Sequence, residues 1–291
     1  MAKLLVQSRG SPSDPEYDEQ IVHGLTFTEL MQRCGIRTLT TDLINSAHGC
    51  PDLTLKHARQ IQRLADIGHR VAVADAGGLL WVKPGFEAAN MPTVPIVSIS
   101  LGDGWYRGVS AFLAPMVPSG IAAVGGVGMN GYETAACVLD RILNKNFGGV
   151  YVYNPSEKLT AKLGELGVDV LGRVNGDELY SLEDCLVVGC LDSLDSEGIS
   201  RFEGINPEGL GIFTPPQSDS FGDVEKLMDL TSRMKHSVWV RGAENAAFYA
   251  AKVVSAYNSR ARDALRDLAE KKRESYDARN ITPSSFVGGR L

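Results

Sequence analysis

Nowhere in this chain does an apolar run approach the roughly 20 residues needed to cross a bilayer. The opening stretch "MAKLLVQSRGSPSDPE" carries only "LLV", too short for the secretory-signal core of about 7–15 residues. Basic residues form no stripe. Lys and Arg number 29 against 35 Asp and Glu, leaving a net charge of −6, which argues against a nucleic-acid-binding face. Small anions stay within reach, because loop amides and helix N-termini do not depend on net charge. Cysteine is sparse: Cys34, Cys50, Cys137, Cys185 and Cys190 are odd in number and form no CxxC pair. That usage points to reduced thiols and away from a disulfide framework. The expectation is a cytoplasmic protein with no membrane and no nucleic-acid partner.

There is ample core material, with 44% hydrophobic and 22% charged residues. It is laid out as alternating strands and helices. "KLLVQ", "IRTLTTDLI", "RVAVADAGG", "VPIVSISL" and "GIAAVGGVG" read as strands, the last followed by an amphipathic helix in "YETAACVLDRILN". Strands that are apolar throughout, separated by helices, predict a parallel sheet covered on both faces. From "NKNFGGVYVYNPSEKL" the pattern starts again. "VYVYN", "CLVVGC", "LGIFTPP" and "SVWVRGAENAAFYAAKVV" answer earlier segments in the same order, with spacing that shrinks along the chain. The reading is therefore an α/β, parallel-sheet, three-layer sandwich duplicated in tandem, with domains at residues 1–146 and 147–291. A single long helix is expected from about Asn245 to Arg279, charged at its end and docked on a neighbour.

Chemistry belongs at the strand-to-helix junctions of such a sheet. At the first, "GSPSD" offers a tight turn at Gly10, hydroxyl donors at Ser11 and Ser13, and at Asp14 an acceptor for sugar hydroxyls. At another, "NSAHGCPD" places His48 after the small residues Ser46 and Ala47; a histidine both takes and gives a proton near neutral pH. "ADAGG" supplies Ala76, Gly77 and Gly78 as a wall for close approach. "GGVGMNG" holds Gly126, Gly128 and Gly131 at dinucleotide-fingerprint spacing, but the next strand ends in Asn154 rather than an acid for a ribose. His48, Cys50 and His57 match no zinc spacing, and His23, His69 and His236 read as packed or solvated side chains.

Taken together and in order, "GSPSD", "SAH" with Pro51 nearby, and "ADAGG" resemble the PurE family, the aminoimidazole ribonucleotide carboxylases and N-carboxyaminoimidazole ribonucleotide mutases. That family's pattern runs G-S-x-S-D, S-A-H-R-T-P, A-G-A-G-G-A-A-H-L-P-G. The resemblance covers about residues 3–143, and "ENAAFYAAKVVSAYNSRARDALRDL" looks like the family's closing helix in a degenerate second copy. It implies a flavodoxin-like sandwich and a carboxylase, mutase or decarboxylase that uses no cofactor and no metal. The substrates implied are a ribonucleotide and carbon dioxide. His48 would be the proton shuttle, Ser46, Ala47 and His48 would line the imidazole pocket, Ser11 and Asp14 would hold the ribose phosphate and sugar, and Gly10 and Ser13 of the same loop would also contact the substrate. Because the family forms octamers of single domains, a fused pair implies a homotetramer of eight. The chain departs from the pattern at Gly49, where the family has a phosphate-binding arginine, and in "GGLLWVKPG", which is longer and has lost a histidine. Arg9 and Lys83 become the candidate replacement cations, with Arg9 preferred because a guanidinium grips two phosphate oxygens. The second copy has no counterpart of His48. A different heteroaromatic nucleotide as substrate, or nucleotide binding without catalysis, stay open as alternatives.

Overall fold

The computed structural model describes residues 1–44, 50–78, 83–102, 112–116, 120–174, 185–216 and 221–277. Its centre is one ten-stranded sheet. The first five strands are β1 (Lys3–Arg9), β4 (Arg37–Ile44), β5 (Arg70–Gly77), β6 (Ile96–Ser100) and β7 (Gly125–Met129). A short hairpin, β2 (Ile21–Val22) with β3 (Leu25–Thr26), stands apart from them. The second five are β8 (Val150–Tyr153), β9 (Val170–Val174), β10 (Leu186–Cys190), β11 (Leu210–Thr214) and β12 (Ser237–Trp239). The order across the sheet is β4-β1-β5-β6-β7-β12-β11-β10-β8-β9. Each set thus runs second, first, third, fourth, fifth, and all pairings are parallel except β7 with β12. That antiparallel junction has a consequence for function. The C-terminal ends of the first five strands open on one edge of the sheet, and those of the second five open on the other.

Helices cover the sheet because parallel neighbours need crossovers. They are α1 (Phe27–Arg33), α2 (Pro51–Asp66), α3 (Lys83–Asn90), α4 (Tyr132–Asn144), α5 (Glu157–Glu165), α6 (Ser196–Ile205), α7 (Phe221–Thr231), α8 (Ala243–Val254) and α9 (Ser259–Asp277). Local chemistry starts several of them. Thr26 and Glu29 form a reciprocal capping box at α1, Pro51 sits in the first turn of α2, and Asp195 caps α6 through the Gly198 amide. Among the described residues no helix is long and apolar enough to cross a membrane.

The single closing helix expected over residues 245–279 is two helices. The chain turns after Ser255, and the Asn258 side chain restarts it by accepting a hydrogen bond from the Ala261 amide at 3.1 Å. No proline or glycine marks the break, so residue pattern alone read through it. The first of the two, α8, is buried along its length inside this chain: Lys252 donates to the Ala88 carbonyl of α3, and Ser255 to that of Thr93.

The glycine fingerprint in β7 has a packing role. A Cβ on Gly126 would lie 2.5 Å from Pro115 and 2.6 Å from the Trp239 indole nitrogen, and one on Gly128 would meet the backbone of Thr231 and Ser232. These glycines let β12 and its neighbours close on β7, which leaves no backbone approach for a dinucleotide there. Gly126→Ala should therefore lower stability by about 1–3 kcal/mol, the usual effect of overpacking. A chemical melt indistinguishable from the parent would refute this.

Candidate active site at the edge of the first five strands

The loop after β1 is fastened to the loop after β5. The Gly10 amide donates to the Ala76 carbonyl at 3.0 Å, and the Gly78 amide donates to Asp14 Oδ1 at 3.2 Å. Within "GSPSD" a turn closes from the Asp14 amide to the Ser11 carbonyl at 3.1 Å. Ser11 Oγ accepts from the Ser13 amide and lies 2.9 Å from Ser13 Oγ. The structure thus brings Gly10, Ser11, Ser13, Asp14, Ala76, Gly77 and Gly78 to one place. Asp14 Oδ2 is buried and has no hydrogen-bond partner among the described residues. It is an acceptor waiting for a donor.

Beneath this loop lies an aromatic cluster. Tyr17 packs against Phe27 with ring centroids 5.3 Å apart, and Tyr132 meets both rings edge-on. Tyr17 Oη lies within hydrogen-bond reach of the Ser8 and Ala74 carbonyls, tying the ends of β1 and β5 together. Tyr132 Oη is buried without a partner among the described residues. Burial and the neighbouring Asp14 charge raise its phenol far above the ordinary tyrosine value, so it stays a neutral donor.

The two candidate cations face inward. Arg9 donates to the Asp14 carbonyl at 2.8 Å and to Glu16 Oε1 at 3.2 Å, so its guanidinium braces the loop from behind. Lys83, at the start of α3, is 3% exposed and donates to Asp75 Oδ1 at 2.5 Å and Ser8 Oγ at 2.6 Å. Glu87, one helical turn on, places an oxygen 3.8 Å from the same ammonium. Lys83 thus meets the carboxylate that interrupts the otherwise apolar run of β5.

Sequence reasoning missed Asp75, Glu87, Tyr132 and Ser8 as members of this site. The available signal was a carboxylate inside the otherwise apolar strand "RVAVADAGG", since a buried charge needs a partner. The electrostatics of the trio follow from burial. Burial works against the Lys83 ammonium, but the charges of Asp75 and Glu87 outweigh it and hold the lysine above its ordinary value. Burial likewise raises Asp75, with Lys83 pulling the other way. For Glu87 burial wins over Lys83, and its carboxyl is pushed up to about 8. Its folded-state value is thus raised above the unfolded one. Between about pH 4.5 and 8 the unfolded chain gives up this proton while the folded chain keeps it, so stability falls as pH rises through that window. Glu87→Gln should flatten that slope and exceed the parent in stability at pH 8 by more than about 1 kcal/mol, with a smaller advantage near pH 5. Parallel pH profiles for the two proteins in urea melts would contradict the assignment.

Ser46, Ala47 and His48, together with Gly49 and Trp81, lie outside the described residues. The approach to them is described. Ile44 at the end of β4 pairs in register with Arg9, directly before the "GSPSD" loop. The remaining histidines are elsewhere: His23 pairs with Glu133 on the surface, His57 lies within α2, His69 lies beyond its end, and the His236 ring meets the Glu203 carbonyl. No group of three potential metal ligands occurs among the described residues. In the second set of strands, "NPSEK" caps a helix: Ser156 Oγ accepts from the Leu159 amide.

The class defined by these observations is an α/β protein with a large, mostly parallel sheet and polar loops gathered at the C-terminal ends of its first strands. Compared with known proteins, the chain matches no family model, and no curated protein matches it.

Proposed function

We propose that this chain is a PurE-like enzyme that adds, moves or removes a carboxyl group on an aminoimidazole-ribonucleotide-like substrate, with His48 carrying the proton. The observation that carries the reading is the Asp14–Gly78 hydrogen bond. It locks the two glycine-containing loops of the resemblance side by side at the edge where β4 delivers the chain toward His48. The same strand order in both sets supports a tandem duplication divided near residues 146 and 147, in which the first copy holds the site.

The chemistry follows from the residues. The electron-rich ring carbon of an aminoimidazole attacks carbon dioxide, a carbon–carbon bond forms, and the proton leaving that carbon passes to His48; decarboxylation is the reverse. Asp14 Oδ2 accepts a sugar hydroxyl, and Ser11 and Ser13 donate to the phosphate. The buried Asp75–Lys83–Glu87 trio, foreign to the family pattern, favours a substrate altered from the purine intermediate itself. The test is incubation with aminoimidazole ribonucleotide and a panel of heteroaromatic ribonucleotides in labelled bicarbonate. Incorporation of label into one of them is expected; none in any of them removes the reading.

Arg9 takes a changed role. Because its guanidinium braces Asp14 and Glu16, Arg9→Ala should loosen the loop and weaken binding of nucleotide and matching nucleoside alike, by roughly ten-fold or more. A loss confined to the phosphorylated ligand, seen by calorimetry, would return Arg9 to the role of phosphate clamp.

A further inference from the structure

We propose that a second anion site lies at the opposite edge of the first five strands, a pocket that takes one tetrahedral oxyanion of the phosphate type between His69, Arg70, Lys252 and Arg262. The cavity measures about 50 Å³; its polar lining is these four side chains with Thr93 and Ser255, the rest being Met1 and mainly apolar residues, and among the described residues no carboxylate lines it. A buried water needs roughly 10–15 Å³, so the space holds a few waters or one oxyanion and no nucleoside.

Three elements bring the charges together. Arg70 opens β5 directly after His69, Lys252 lies in the last turn of α8, and Arg262 lies in the first turn of α9. The break between those two helices, at residues 255–258, turns Arg262 back toward α8. Every described partner of the three cations is neutral. Arg70 donates to the Leu143 carbonyl at 3.0 Å and stacks 3.9 Å above the Tyr257 ring. Arg262 donates to the Ser255 and Ala256 carbonyls at 3.0 and 3.3 Å. Lys252, 1% exposed, donates to the Ala88 carbonyl at 3.0 Å. His69 Nδ1 is buried and has no hydrogen-bond partner among the described residues.

In a chain of net charge −6 this is a cluster of cations that, among the described residues, no carboxylate pairs with. Burying charges without counter-charges is costly, and burial already pushes the Lys252 ammonium down to about 7 and lowers Arg70. A bound oxyanion would supply the missing charge. It would accept from both guanidinium groups, which suit planar, paired recognition of phosphate oxygens, and from the lysine and the imidazole. The "GSPSD" loop follows the C-terminal end of β1, whereas Arg70 opens the parallel strand β5, so the two lie at opposite edges of the sheet and this pocket is separate from the proposed reaction.

The test is calorimetric titration of the full chain with inorganic phosphate and, separately, glycerol phosphate, with chloride holding ionic strength constant. Binding of inorganic phosphate is expected, weakened roughly ten-fold or more by Arg262→Gln and by Lys252→Met, as for loss of a hydrogen bond to a charged group. Ser11→Ala, at the opposite edge, removes any phosphate held by the candidate site and should leave unchanged the binding that Arg262→Gln weakens. Glycerol phosphate binding equally well would identify a phosphomonoester head as the occupant, and binding of inorganic phosphate alone would identify the free ion. Arg262 is half-exposed, so its variant tests the site even should Lys252→Met disturb the core. The proposal is overturned if phosphate does not bind, if both pocket substitutions leave binding unchanged, or if Ser11→Ala abolishes it.

Discussion

Replacing Lys83 with methionine should lower the unfolding free energy by about 3–5 kcal/mol, the range for removing one partner of a buried ion pair. The ammonium donates to Asp75 Oδ1, Ser8 Oγ and, at 3.3 Å, the Arg9 carbonyl. Asp75 is 0% exposed, and its second carboxyl oxygen has no described partner. Without the lysine, that carboxylate must either stay charged in an apolar strand or take up a proton at neutral pH, and both states are less favourable than the pair. Because Ser8 and Arg9 lead directly into "GSPSD", the same substitution should also loosen the candidate site. Urea melts of Lys83→Met, Asp75→Leu and the double variant would measure the coupling. The double variant should recover most of the loss, since two apolar groups leave no stranded charge. A loss below about 1 kcal/mol in the single variant would show that the pair contributes no more than an exposed ion pair.

Replacing His48 with asparagine should leave the fold unchanged and slow turnover by about 10²–10⁴-fold, the contribution typical of a positioned acid–base group. Asparagine keeps hydrogen-bonding capacity and similar bulk but cannot exchange a proton near neutral pH. A second readout separates proton transfer from general disturbance of the pocket. If His48 carries the ring proton, the parent should catalyse exchange of that hydrogen with deuterated water in the absence of carbon dioxide. The variant should lose exchange and turnover together while still binding the substrate. Near-normal turnover in a folded His48→Asn protein would take this residue out of the mechanism.

Much of this protein is written in short-range pattern. Continuous apolar runs such as "RVAVADAG" and "IVSIS" can be satisfied only in a sheet covered on both faces, and each became a parallel strand. The polar turns at Gly10 and Gly77 fall where a strand hands over to its crossover. Those readings rest on neighbours a few residues apart, whose spacing decides which face a side chain meets. Other features depend on residues far apart in the chain, and composition carries no record of them. The antiparallel pairing of Trp239 with Gly126 sets which edge each group of loops occupies, and it turns a glycine fingerprint into a packing surface. Even between near neighbours the path of a loop decides: Arg9 turns inward to Glu16 and the Asp14 carbonyl, and Lys83 folds back onto Asp75 of the preceding strand, contacts that residue spacing alone does not specify. A cation's sequence neighbourhood does not say whether it faces solvent or a buried acid, because the partner arrives through folding. The same holds for the opposite edge, where Arg70 and Lys252 lie far apart in sequence and close around one cavity. Local spacing determined the strands, most of the helices and the candidate loops, and three-dimensional packing decided where the closing helix breaks and which charges are partnered.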